Sequence, residues 1–162
     1  MFEGILPYII TFFVSMVPII ELRGAIPIGV GFGGNPWICL IVAIIGNMLP
    51  VPIIFFFARR VLEWGKDKKF IGKFFTFCIE KGHKGGKKLQ EKAGRGLFVA
   101  LMLFVGIPLP GTGAWTGTLA ASFLDMDFKS SSLACMAGVV IAGIIIGVCT
   151  VVGFGAFSMA TA

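Results

Sequence analysis

The chain has 162 residues, 57% of them hydrophobic and 23 of them glycine, with a net charge of +6. That composition is far from a soluble domain and matches a small helical membrane protein; no alternating apolar and polar pattern supports a transmembrane barrel. The class read from it is all-α integral membrane, a single membrane domain over residues 1–162.

The start, Met1-Phe2-Glu3-Gly4, has neither the basic region nor the small-residue cleavage site of a secretory signal, so the first apolar segment is expected to stay in the fold. From Gly4 to Phe32 the chain is apolar but broken by Pro18, Gly24, Pro27, Gly29 and Gly31. The expectation is a re-entrant hairpin. Near its tip stand Glu21 and Arg23, two charges in apolar sequence, which marks a functional site by default because charge at membrane depth is costly.

Pro36 to Ala58 follows with no charged residue. At 1.5 Å per residue it is roughly 35 Å of helix, enough to cross a ~30 Å hydrocarbon core, with a kink expected at Pro50 and Pro52. Asn47 is its polar residue at membrane depth, read as a bridge between helices or a cavity liner.

Residues 59–95 hold 12 of the 14 basic residues and four acids, +8, leaving −2 for the rest of the chain. Such a connector is expected to be cytoplasmic and to lie along the inner interface, its basic residues attracted to anionic lipid rather than to nucleic acid. The single histidine, His83, lies in it and reads as a solvated side chain.

Leu97 to Ile107 allows only about 16 Å of helix before Pro108-Leu109-Pro110-Gly111-Thr112-Gly113, too short to span. Prolines without an N–H donor and flexible glycines predict a reversal near the midplane, with Ala114 to Leu124 returning as a second half-helix. Thr112 is the expected cap of that helix, leaving its first N–H groups facing a cavity. Asp125, Asp127 and Lys129 read as a solvated turn on the inner face, and Ser132 to Gly155 as the second full span. Cys39, Cys78, Cys135 and Cys149 are scattered without metal-ligand spacing, and no cofactor or metal is expected.

Each half therefore consists of a broken hairpin followed by an unbroken span: residues 4–58 and 96–157, two inverted repeats joined by the connector. Both termini are expected outside. Paired interrupted segments of this kind point to a binding site at the midplane. The candidate site is Glu21, Arg23, Gly24, Pro27, Asn47, Pro108, Pro110, Gly111, Thr112, Gly113, Trp115 and Thr116. Arg23 offers a permanent planar fork for a phosphate or carboxylate, and Glu21 a proton-carrying partner. A structural alternative stays open, in which the two charges only hold the tip together. Aligning Arg23-Gly24-Ala25 with Thr112-Gly113-Ala114 sets the two tips in register. No catalytic constellation is present, so an enzyme is not expected.

At Glu21-Leu22-Arg23-Gly24-Ala25-Ile26-Pro27 and at Pro108 to Gly117 the chain resembles the small multi-drug export protein family, a likeness that covers nearly all of it and implies drug efflux. Its two opposed hairpins also resemble the architecture of the DedA superfamily, which implies return of undecaprenyl phosphate across the cell membrane. DedA-type proteins carry an arginine in the second hairpin, which is missing here.

The expected function is thus a small transporter or flippase of the cytoplasmic membrane for an anionic amphiphile such as a polyprenyl phosphate, with proton coupling through Glu21. Two alternatives stand beside it: an exporter of cationic amphiphiles in exchange for protons, and a non-transporting scaffold. Membrane lipids, an anionic headgroup or amphiphilic substrate and a homodimer or larger homo-oligomer are the expected partners.

Overall fold

A computed structural model describes residues 4–18, 20–66, 95–109 and 112–161. Most of the basic connector, with Cys78 and His83, lies outside the described residues, as do Pro110 and Gly111. Among the described residues every regular element is helical: α1 (Leu6–Met16), α2 (Glu21–Gly31), α3 (Pro36–Met48), α4 (Pro50–Lys66), α5 (Arg95–Gly106), α6 (Ala114–Phe123) and α7 (Phe128–Thr161).

Local chemistry sets the boundaries. Pro7 sits in the first turn of α1, where its missing N–H is harmless, and α1 stops at Val17, whose ψ of 127° is the extended conformation forced on the residue before Pro18. Asn35 caps α3, its side chain accepting from the N–H groups of Trp37 (3.0 Å) and Ile38 (3.4 Å), with Pro36 as first helical residue. Leu49 separates α3 from α4, where Pro50 and Pro52 predict a kink. Asp127 caps α7 by accepting from the N–H groups of Lys129 and Ser130 at 3.1 and 3.4 Å, so this acid has a structural task in the turn before α7.

Two lengths recur. The helices α1 and α2 have 11 residues each, α5 has 12 and α6 has 10; at 1.5 Å per residue each is roughly half an ~30 Å hydrocarbon core. By contrast Pro36–Ala58, 23 residues, and Phe128–Gly155, 28 residues, are long and apolar enough to cross. The outer surface is apolar as well: Phe13, Trp37, Ile53, Phe57 and Val152 are between 62% and 66% exposed. In water such a surface would aggregate; in lipid it is the solvated face.

The helices pack by close backbone approach, because lipid tails are as apolar as leucine and hydrophobic burial no longer drives association. In the first half, α1 lies against both α2 and α3. A Cβ at Gly46 would stand 2.7 Å from the Phe12 carbonyl oxygen, so only glycine lets α3 come this near to α1. The second half repeats the device: α5 lies on α7, and a Cβ at Gly138 would stand 2.6 Å from the Met102 carbonyl oxygen. Here the halves diverge, for α6 packs mainly on α4 and only lightly on α5. One core joins them, running from Leu22, Ala25 and Ile26 through Ala43 and Phe55 to Val105, Ala114, Ala121, Cys135 and Val139.

Candidate functional site

The turn between α1 and α2 meets the turn between α5 and α6 at the edge of this core, with the Glu21 side buried and the Arg23 side more open. Glu21, first residue of α2, is only 5% exposed. Its φ is +49°, a left-handed conformation that disfavours a side chain bearing a Cβ by about 1–2 kcal/mol. Such strain persists only where surrounding contacts hold it, and here they are clear. The carboxylate Oε1 accepts from the Trp115 N–H at 3.1 Å, with the Ala114 N–H beside it.

Those N–H groups are the unpaired donors at the start of α6, where the helix dipole is positive. The cap residue of α6 is Gly113, which contributes no side-chain bond of its own. A Cβ on Gly113 would collide with the Glu21 carboxylate, its Cδ standing 2.6 Å away. Glu21 is therefore a cap supplied from the other hairpin, and Gly113 is the clearing that admits it. This corrects the expectation for Thr112, whose hydroxyl lies instead within hydrogen-bond distance of the carbonyls of Ile107 (2.8 Å) and Leu109 (2.9 Å). It also removes the expected free donors at this helix start, since a protein carboxylate already fills them.

Arg23 reaches the opposite end of the same hairpin. Its Nη1 donates to the Leu109 carbonyl, and its Nη2 to the Thr112 hydroxyl at 3.0 Å and the Ile107 carbonyl at 3.4 Å. These oxygens follow the C-terminus of α5, the negative end of its dipole. Two residues apart in sequence, Glu21 and Arg23 thus engage the positive start of α6 and the negative end of α5. Side chains at i and i+2 of a regular helix point apart; together with the left-handed residue at Glu21, that splay lets one short motif hold both ends. The guanidinium Nε is buried without an acceptor.

The other predicted residues distribute around this contact. Pro108 is half-buried in the second tip. Trp115 gives its backbone N–H to Glu21 while its indole Nε1 is buried and unpartnered, and Thr116 is exposed, its hydroxyl facing the Gly113 carbonyl at 3.4 Å. Gly24 follows closely on Ile20, whose Cγ2 stands 2.5 Å from where its Cβ would be. Asn47 is wholly buried on α3 with neither amide atom bonded, so the bridging bond expected for it is not seen. Pro27, inside α2, lines a groove of about 420 Å³ with Arg23, Ile146, Cys149, Thr150, Gly153 and Phe154.

Sequence reasoning missed the α7 side of this groove because Ile146 to Phe154 read only as span. It also missed the acceptors of Arg23, which are largely backbone.

A family model described as "putative small multi-drug export protein" matches residues 21–145, from Glu21 at the first tip into α7. The chain belongs to this family. No curated protein and no solved structure matches it. Membership together with the two long apolar helices identifies an integral membrane protein of the small multi-drug export family.

Proposed function

We propose that this family member is a transporter of amphiphiles, not an enzyme, whose translocation site is the junction of the two tips at the bilayer midplane. In this reading α1–α2 and α5–α6 are re-entrant hairpins, related as inverted repeats in the cell membrane, with the basic connector cytoplasmic and both termini outside. The observation that carries it is the cross-hairpin exchange of charges: Glu21 on the start of α6 and Arg23 on the end of α5. Both are contacts a substrate or a proton can compete for. Protonating Glu21 removes the negative charge that complements α6; an anion near Arg23 competes with the carbonyls of the second tip.

Backbone irregular at this depth is tolerated only where protein or a wet cavity covers it. Release of one hairpin from the other would expose it alternately to each side, as in rocking-repeat transporters. A homodimer or larger homo-oligomer belongs to the proposal, because half-length hairpins need cover from lipid; native mass spectrometry reads it.

An anionic headgroup is favoured, because the permanent cation Arg23 lines the groove whereas Glu21 does not. Export of cationic drugs is the second reading, supported by the family description and by the carbonyl oxygens of the second tip, which suit a cation. Flux of an alkyl phosphate and of a quaternary ammonium dye in liposomes separates them. We expect saturable alkyl phosphate flux that falls at least tenfold in Arg23→Gln. Dye flux that needs Glu21 and survives Arg23→Gln would sink the anionic reading, and no flux of either with intact folding would favour a scaffold.

A further inference from the structure

The groove between α2 and α7 has a shape and a polarity that the junction of the tips does not explain. On α2 its lining residues are Arg23 and Pro27, four apart and so on one face of the helix. Its other wall runs from Ile146 to Phe154 along α7, about 12 Å at 1.5 Å per residue. Phe154 also reaches α2 at Gly31, where its ring edge stands 3.7 Å from the position of a Cβ. At Gly153 a Cβ would meet nothing within 4 Å, so space on this wall is left by the missing side chain. The volume, about 420 Å³, falls in the range of small-molecule sites.

The polarity is one-sided. Among the described residues Arg23 is the only charged one lining the groove; Glu21 attracts it from two residues away but does not line the groove itself. Its two terminal nitrogens are bonded to the second tip, but Nε is buried with no acceptor. What Arg23 offers the groove is therefore the positive charge of its guanidinium, not a free donor. The remaining walls, Pro27, Ile146, Cys149, Gly153 and Phe154, suit hydrocarbon, and the Thr150 hydroxyl is already bonded to the Ile146 carbonyl at 2.7 Å.

We infer that this groove is a lateral binding site for a single-chain amphiphile with an anionic headgroup, which enters from the lipid, lays its chain along Ile146–Phe154 and sets its headgroup against Arg23. This deepens the transporter reading and rests on it for the purpose of the site. It commits to a membrane amphiphile, not a free anion, because an apolar trough beside one cation rewards both ends of the molecule. A cationic amphiphile would bring like charge toward Arg23 in a medium that screens poorly.

Cys149 lines the groove and is exposed, a native reporter. The full chain in phosphatidylcholine nanodiscs is treated with N-ethylmaleimide, and alkylation of Cys149 is followed by peptide mass spectrometry. Dodecyl phosphate is expected to slow it at least fivefold, while dodecyltrimethylammonium and inorganic phosphate change it less than twofold. Arg23→Gln should reduce protection by dodecyl phosphate below twofold. Because that variant also loosens the tips, Gly153→Leu serves as a second: it fills the groove without touching Arg23 and should weaken dodecyl phosphate binding, read by native mass spectrometry, at least fivefold. Equal protection by the ammonium amphiphile, protection by inorganic phosphate alone, or unchanged binding in Gly153→Leu overturns the inference. Protection without flux leaves the groove standing and removes the transporter reading; flux without protection does the reverse.

Discussion

The two tips touch each other but are built from opposite materials. The first brings two full charges on side chains, one of them held in a left-handed backbone; the second brings backbone N–H groups, carbonyls and one threonine hydroxyl. The difference shows how a membrane protein can keep a Glu and an Arg within an apolar helical assembly without making them each other's only partner. Helix termini carry about half a charge of each sign, and a hairpin presents one of each side by side. A charged tip and a helical-hairpin tip are therefore complementary even though the second has no charged residue.

The most damaging way to break that complementarity is to close the clearing at Gly113. Gly113→Ala should evict the Glu21 carboxylate and destabilise the protein by about 3 kcal/mol, the scale of leaving a buried charge and its donors unpaired. The melting temperature in detergent checks this, and the double variant with Glu21→Ala should be little worse than Glu21→Ala alone. Full additivity would mean that the two residues are not in contact.

Next in size is Arg23→Ala, expected to lose about 2 kcal/mol because charged hydrogen bonds to the second tip disappear. Arg23→Lys should recover only part, since a point charge cannot hold three oxygens in the geometry of a planar fork. If lysine restores the full melting temperature, net charge rather than the fork holds the tips.

A finer test separates the strain of Glu21 from its cap. Both Glu21→Ala and Glu21→Gly remove the carboxylate, but glycine tolerates a positive φ, so the glycine variant should be the more stable by about 1 kcal/mol. Equal stabilities would show that the tip relaxes once the cap is gone. The smallest effect belongs to Thr112→Val, which removes one acceptor from Arg23 and the local hydroxyl bond, about 1 kcal/mol. A loss as large as that of Arg23→Ala would make Thr112, not the carbonyls, the main anchor.

Much of the architecture was legible in the residues. Two short helices were expected over Leu97–Ile107 and Ala114–Leu124 and are found at Arg95–Gly106 and Ala114–Phe123, because proline and glycine stop helices locally whatever surrounds them. The spans were equally plain, since an apolar run of 23 residues has few other uses. Glu21, Arg23, Thr112, Gly113 and Trp115 stood out and do meet. Asn47 stood out too, yet it joins neither the tips nor the groove.

The sequence by itself determined where the helices break, how long each piece is and which charges stand in apolar surroundings, because helix pitch, missing N–H groups and hydropathy act over a few neighbouring residues. Only the tertiary structure decided what those charges hold. Helix dipoles and tip carbonyls are made of backbone, which every residue possesses, so no residue type announces them. The same is true of the groove, where the emptiness beside Gly153 becomes a site only because α2 carries Arg23 alongside it.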